Sequence, residues 1–241
     1  MYFAVDSEAP LQHLDYCFGN AFTRKLVPER RRKQFNILTL WNVAAFTRTA
    51  EDLITILHET LSLPQFGFLD LVTVLDWTTL AAERSLGSID DRRSLTPGIQ
   101  MDRARTTPTR PRVGSLALQS LIADMARVVD SHPAYRSASV IIGGPDSLSD
   151  SPNLRTRLAH GVATATGKEF ISLRWPAWQL ANGAPPLSSL DRRISGTCIV
   201  IDDEWTDGRP MNALARLARA SGASRVFGIA ATMSDVSENR N

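Results

Sequence analysis

The sequence predicts an α/β fold in which a parallel β-sheet is flanked by helices. From about residue 113 onward, short runs of apolar and β-branched residues alternate with amphipathic segments of about a dozen residues. Strands that alternate with helices of this length are joined by right-handed crossovers and form a parallel sheet. A glycine follows several of these segments, which is typical of chain turns after strands and helices.

The predicted elements follow one another at regular spacing. In chain order they are a helix over 114–129, a strand over 139–142, a helix over 154–166, a strand over 170–175, a strand over 197–201, a helix over 210–221 and a strand over 225–230. Apolar residues recur at helical spacing in the helices, while the strands are short apolar runs. A polar stretch that contains proline, over 176–193, separates the last three elements from the others.

Composition divides the chain into regions. Residues 1–82 and 113–236 are apolar and periodic, residues 83–112 are rich in arginine, proline and threonine, and residues 237–241 form a short tail. The middle region has no sustained apolar period, so we expect a linker or long loop there. Its positive end either lies in solvent or binds the phosphates of a nucleic acid. The arginines of that end are Arg103, Arg105, Arg110 and Arg112.

Composition and charge also exclude several classes of protein. A hydrophobic content of 43% and a formal net charge of +2 are ordinary for a globular chain and do not by themselves imply nucleic-acid binding. Cys17 and Cys198 lie far apart and outside any metal-ligand spacing, so we predict neither a zinc site nor a disulfide framework. No apolar run approaches the roughly 20 residues of a membrane span. We therefore expect a cytoplasmic protein without membrane insertion.

The segment that begins with the strand over 198–201 carries the most chemical information. Asp202 and Asp203 follow four apolar residues, at the carboxyl end of a predicted central strand, where α/β folds bind ligands. The next helix has Pro210 in its first turn, and Gly208 precedes it, which predicts an anion site at a helix N-terminus. Carboxylates beside an anion site suit a sugar phosphate. A receiver-like domain with Mg²⁺ at the acid pair is the alternative.

This segment resembles the motif by which type I phosphoribosyltransferases bind phosphoribosyl pyrophosphate (PRPP). The motif runs as four apolar residues, two acidic residues, two variable residues and then Thr-Thr-Gly-x-Thr, and the register agrees without a gap. The resemblance implies that Asp202 and Asp203 act in catalysis, bind Mg²⁺ and hold the ribose hydroxyls. It implies a 5-phosphate loop made of Thr206, Asp207, Gly208, Arg209 and Pro210. Asp207 and Pro210 stand where the family has hydroxyl-bearing residues, so those two phosphate contacts are altered.

A second stretch, upstream, resembles the competence-associated ComF branch of the same family in the order and spacing of its residues. The resemblance implies that Gly143, Gly144, Pro145 and Asp146 form a pyrophosphate loop. It also implies that Asn153 marks the entry into the following helix. An ordinary strand-turn-helix of any α/β protein is the alternative interpretation of this stretch.

The first half of the chain contains a candidate internal repeat. Residues 37–53 align with residues 198–214, so that four apolar residues match four and the two aspartates are replaced by Trp41 and Asn42. We interpret the region 1–82 as a partial, degenerate phosphoribosyltransferase-like unit or as a helical or αβ region. A chance match between two strand-helix-strand segments is the alternative.

Two functions fit these observations. The first is a phosphoribosyltransferase, a glycosyltransferase that binds PRPP or a nucleoside monophosphate with Mg²⁺ and transfers ribose phosphate. The second is a non-catalytic nucleotide sensor or a nucleic-acid-associated partner protein. A homodimer is one option for the assembly of either.

Overall fold

The computed structural model describes most of the chain. The described residues are 2–5, 8–19, 22–28, 34–40, 47–77, 97, 100–101, 104–105, 111–147, 153–175, 190 and 192–234. In chain order the elements are β1 (Tyr2–Val5), α1 (Glu8–Phe18), β2 (Phe22–Pro28), β3 (Gln34–Leu40), α2 (Thr47–Glu59), β4 (Leu61–Leu63), β5 (Leu71–Trp77), α3 (Pro111–Ser131), α4 (Pro133–Arg136), β6 (Val140–Ser147), α5 (Leu154–Thr166), β7 (Glu169–Trp175), β8 (Gly196–Trp205), α6 (Arg209–Ala220) and β9 (Ala223–Met233).

Six strands form the main sheet, in the order β4-β5-β9-β8-β6-β7. Neighbours from β5 to β7 run parallel, and the edge strand β4 runs antiparallel to β5. The predicted α/β class, with a parallel sheet flanked by helices, is therefore confirmed, and the architecture is compatible with a Rossmann-like fold. Helix α5 has the bounds that the sequence predicts, because Asn153 caps its start and Gly167, with a φ of 65°, ends it.

Helices cover both faces of this sheet. Alternate residues of β6 point to opposite faces, so that Ile141 packs with α3 and α5, while Val140 and Ile142 pack with α6. β8 divides in the same way, with Ile199 on the first face and Val200 on the second. A strand that is buried on both faces reads as an unbroken apolar run, which explains the composition of β8.

The order of the strands reverses between β6 and β8. The chain moves outward from β6 through α5 to the edge strand β7, and then returns to β8 on the other side of β6 before α6 leads on to β9. Ligands of open α/β sheets bind at such a switch point, outside the carboxyl ends of the strands. β6 and β8 are paired only as far as Ile142 and Val200, and we expect the ligand crevice of this class of fold to lie between them beyond that pair.

The proposed internal repeat is not supported by the fold. The aligned strand β3 belongs to a separate three-stranded sheet of order β1-β3-β2, in which it pairs antiparallel with both neighbours. Its counterpart β8 lies at the centre of the parallel sheet, so the two strands are not structurally equivalent. Strands β4 and β5 lie in the main sheet, and the boundary expected after residue 82 therefore does not separate two sheets.

The expected linker over 83–112 is partly packed against the body of the protein. Met101 and Ala104 are only 1% and 3% exposed and join the core between the sheet and α3. The Gln100 Nε2 atom donates a hydrogen bond to Ser120 Oγ at 2.8 Å. Helix α3 begins at Pro111, within the expected linker, because proline is well tolerated at a first helical position. Within the described residues, no helix is both long and apolar enough to cross a membrane.

Candidate functional site at the switch point

Asp202 and Asp203 lie at the switch point, but within β8 rather than after it. β8 continues to Trp205 and stays paired with β9 over this length, so the two aspartates belong to a rigid strand. Asp202 is 1% exposed, and its Oδ1 atom accepts a hydrogen bond from the Asp203 backbone N–H at 2.8 Å. A carboxyl group buried this deeply needs a partner, since an isolated buried charge is costly.

That partner is Arg155, which sequence analysis missed. Its Nε atom lies 2.5 Å from Asp202 Oδ1, although the N–H bond is not directed at that oxygen, and its Nη2 atom lies 3.4 Å from Asp203 Oδ1. Arg155 occupies the first turn of α5, where the helix dipole disfavours a positive charge. A basic residue in the first turn of a helix that follows a predicted strand was the available signal that an acidic partner lies nearby.

Arg105 reaches Asp203 and the adjacent Glu204 from the segment before α3. Its Nη2 atom lies 2.8 Å from Glu204 Oε2 and 3.4 Å from Asp203 Oδ2. Arg105 is one of the four arginines that we expect either to lie in solvent or to bind nucleic acid, and it is engaged in an ion pair within the chain. Of the other three, Arg103 and Arg110 lie outside the described residues, and the side chain of Arg112 does too. Nucleic-acid binding stays a prediction.

The two adjacent aspartates differ in charge. Burial raises the pKa of Asp202 to about 8, since it outweighs the opposing effect of Arg155, and the neighbouring Asp203 adds to the rise. Burial also acts on Asp203, but the hydrogen bond with Asp202 and the guanidinium groups of Arg155 and Arg105 together hold the pKa of Asp203 below its usual value. At neutral pH the pair thus favours one proton on Asp202 and one negative charge on Asp203.

The predicted 5-phosphate loop is short, and the carboxylate of Asp207 lies where we expect a bound phosphate. Asp207 Oδ1 accepts the backbone N–H of Arg209 at 3.0 Å, and Asp207 Oδ2 lies 2.5 Å from Arg209 Nε. The carboxylate thus occupies a donor at the N-terminus of α6 that a phosphate would otherwise use. Thr206 and Pro210 are exposed on either side of this contact.

Position 208 must be glycine because two aromatic rings pack against it, and not because a phosphate needs the space. Gly208 has a φ of 72°, and a Cβ atom at this position would lie 2.5 Å from the Trp205 ring and 2.9 Å from Phe66. Those two rings pack edge to face, with centroids 5.4 Å apart. A left-handed conformation and two rings at this distance leave room only for glycine.

The predicted pyrophosphate loop is part of β6. Gly143 and Gly144 are buried, and the strand continues to Ser147 with an irregular register against β7. A Cβ atom on Gly143 would lie 2.6 Å from the Ala159 Cβ atom of α5, so this glycine permits close packing of helix and strand. Gly144 has a φ of 102°. The side chains of Pro145 and Asp146 lie outside the described residues.

The acid pair does not fit a Mg²⁺ ion in this arrangement. Mg²⁺ takes carboxylate oxygens as ligands at 2.0–2.1 Å, but both oxygens of Asp203 and one of Asp202 already face guanidinium groups. A dication about 4 Å from one guanidinium would meet a repulsion on the order of 8 kcal/mol at an effective dielectric constant near 20. In the described part of the chain, no group of three or more His, Cys, Asp or Glu residues is arranged to hold a metal.

Comparisons with known proteins do not identify a family: no family model and no curated protein matches the chain. The interpretation of the site therefore depends on its own chemistry. It combines hydrogen-bond acceptors on a rigid strand, two guanidinium groups, and the N-termini of two helices that pack on opposite faces of the sheet.

Proposed function

We propose that the chain is a phosphoribosyltransferase-like protein that binds a phosphorylated ribosyl ligand, PRPP or a nucleoside monophosphate, in the crevice between β6 and β8. The observation that carries the proposal is the position of Asp202 and Asp203, on the central strand at the switch point of the sheet. Acceptors that are fixed on a strand can orient the vicinal hydroxyls of a ribose without reorganisation.

Transfer of ribose phosphate would place two demands on this site. The ribosyl group becomes positively charged as the leaving group departs, so an ionised carboxylate nearby would stabilise it. Asp203 suits this role, because its pKa lies below the usual value and its carboxylate is ionised. The departing phosphate oxygens must be stabilised by donors, which Arg105 and Arg155 can supply. A bound Mg²⁺ ion stays a prediction of the family resemblance and is not part of this proposal.

Binding without catalysis is the second candidate function. The observation in its favour is that Arg105, Arg155 and Asp207 occupy groups that a catalytic site would leave available to the substrate. A protein of this kind would sense a nucleotide rather than convert it.

Calorimetric titration with ribose 5-phosphate tests the shared part of both candidates. We expect binding by the wild-type protein and weaker binding by Asp203→Asn, which keeps the shape of the side chain and removes its charge. Glu169→Gln is the matched control, because Glu169 forms an exposed ion pair with Arg192 at the opposite end of the strands. Absence of heat at millimolar ligand would rule out the proposal. Release of pyrophosphate from PRPP, measured in the presence of nucleobases as acceptors of the ribose phosphate, would then separate the enzyme from the sensor.

A further inference from the structure

Four of the six carboxylate oxygens of Asp202, Asp203 and Glu204 face guanidinium groups. Arg155 contacts one oxygen of Asp202 and one of Asp203, while Arg105 contacts the other oxygen of Asp203 and one of Glu204. The three acidic and two basic side chains form one cluster with little net charge. A divalent cation at Asp203 would have to displace an arginine, because both oxygens of Asp203 face guanidinium groups.

Neither arginine is a loose surface side chain. Arg155 is fixed by its place in the first turn of α5, whose N-terminus Asn153 caps through a hydrogen bond from the Thr156 backbone N–H. Its side chain is 22% exposed. The helix that lines the crevice therefore places a positive charge next to the acid pair.

Arg105 reaches the cluster from an anchored segment. Met101 and Ala104 are buried in the core, and Gln100 is hydrogen-bonded to α3, so the backbone next to Arg105 is tied to the body of the protein. The Arg105 side chain itself is 40% exposed, which makes it the more readily displaced of the two arginines. Its position beside Asp203 and Glu204 follows from that anchoring.

From these contacts we propose that the guanidinium groups of Arg105 and Arg155 take the place of a divalent cation at the acid pair, so that the site excludes metal and binds its ligand without it. Arginine presents a planar set of donors that suits carboxylate and phosphate oxygens alike, and it remains charged at every physiological pH. The inference rests on the proposed function for the identity of the ligand, but the exclusion of metal can be tested without any ligand.

Binding of Mn²⁺ alone, followed by the loss of the electron paramagnetic resonance signal of the free ion, is the test. We expect no binding by wild-type protein at millimolar Mn²⁺, and an affinity at least about tenfold higher in the double variant Arg105→Ser/Arg155→Gln, since two repulsive charges are removed. The exposed substitution Arg105→Ser alone should give a smaller increase without endangering the fold. Arg192→Ser, which breaks an exposed ion pair elsewhere, is the control and should bind no Mn²⁺.

Wild-type protein that binds Mn²⁺ as tightly as the double variant would overturn the inference. Failure of both Arg105→Ser and the folded double variant to bind Mn²⁺ would overturn it as well, because the arginines would then not be what excludes the metal. A ribose 5-phosphate affinity that is equal in EDTA and in Mg²⁺ supports the inference, and one that requires Mg²⁺ contradicts it. If ribose 5-phosphate fails to bind under all conditions, the proposed function fails, while the Mn²⁺ result still decides the exclusion of metal.

Discussion

At the scale of single residues, the two helices that begin at the crevice share one electrostatic feature. Each has an arginine in its first turn, Arg155 in α5 and Arg209 in α6, where the helix dipole disfavours a cation. Each arginine is paired with an aspartate at the end of β8 or just after it. Asp207 differs from Asp202 in that its carboxylate also accepts a backbone N–H at the start of the helix. It thus behaves as an internal anion.

Replacement of Asp207 by threonine should strengthen ribose 5-phosphate binding. The substitution removes a negative charge from the N-terminus of α6, frees the Arg209 backbone N–H and adds a hydroxyl donor. We expect a gain of about 1 to 3 kcal/mol in binding free energy, measured by calorimetric titration. Asp130→Thr, at an exposed position of α3, is the control and should leave the affinity unchanged. An unchanged affinity in Asp207→Thr would show that the ligand phosphate does not reach this loop.

At the scale of secondary-structure elements, the crevice depends on how closely α5 approaches β6. A Cβ atom on Gly143 would lie 2.6 Å from the Ala159 Cβ atom and 3.0 Å from the Phe170 ring, so a larger residue does not fit there. Since Arg155 is part of α5, this packing also sets the distance between its guanidinium group and the acid pair.

Alanine in place of Gly143 should therefore push α5 away from the sheet. We expect a loss of about 1–3 kcal/mol in the free energy of unfolding, the usual cost of overpacking a core, as measured by denaturant titration. Ala165→Ser, at an exposed position of α5, is the control, and it should change the free energy of unfolding by no more than about 0.5 kcal/mol. Equal losses in the two variants would contradict the close-packing role of Gly143.

Elements set by local pattern are predictable from the sequence, whereas contacts between distant segments are not. The apolar run of β8, the capped helix α5 and the helix after Gly208 were all placed correctly, because periodicity and caps are local signals. The position of β3 in a separate sheet depends on its pairing with β1 and β2, which its apolar residues do not encode.

The candidate site shows the same difference between local signals, which are predictable, and contacts between distant segments, which are not. Asp202, Asp203 and the helix start could be located by motif and position. The pairing of Arg105 with Glu204, 99 residues away, could not, because arginine at an irregular segment is usually solvated and nothing local signals its partner. Burial of Met101 was missed for the same reason.

At the scale of the whole molecule, a buried pair of histidines joins the N-terminal helix to the body. His13 in α1 and His132, between α3 and α4, are both fully buried, with His13 Nδ1 2.9 Å from His132 Nε2. The Ala134 backbone N–H donates to His132 Nδ1 at 3.3 Å, so the proton of His132 lies on Nε2 and is donated to His13. His132 also stacks on Tyr135, which is hydrogen-bonded to Thr73 of β5.

The contribution of the two histidines to stability should therefore decrease as the pH falls below the ordinary imidazole pKa of about 6.5. Burial lowers the pKa of His13 to about 4, and burial together with His13 lowers that of His132. Between the ordinary value of about 6.5 and the lowered value, the unfolded chain binds protons that the folded chain does not. The stabilising contribution is complete above pH of about 6.5 and is lost towards pH of about 4, by about 3 kcal/mol for His13 alone.

Chemical unfolding at a series of pH values measures this effect. The free energy of unfolding of the wild type relative to the double variant His13→Leu/His132→Leu should fall across that interval, because both proteins share the opposing effect of the raised Asp202 pKa and only the wild type carries the two buried histidines. His160→Gln, at an exposed position, should keep the wild-type slope. A double variant with an unchanged slope would mean that other groups cause the acid sensitivity.

The binding of a ribosyl phosphate at the switch point is tested most directly by amide chemical shifts during titration with ribose 5-phosphate. We predict that the largest shifts in the ¹H–¹⁵N spectrum occur at Asp203, Glu204 and Arg155, with smaller ones at Arg209, because the ligand lies between the end of β8 and the starts of α5 and α6. Residues at the amino ends of the strands, such as Glu169, should not move. Saturable shifts confined to another part of the protein, or no shifts at millimolar ligand, would contradict the assignment of this crevice as the binding site.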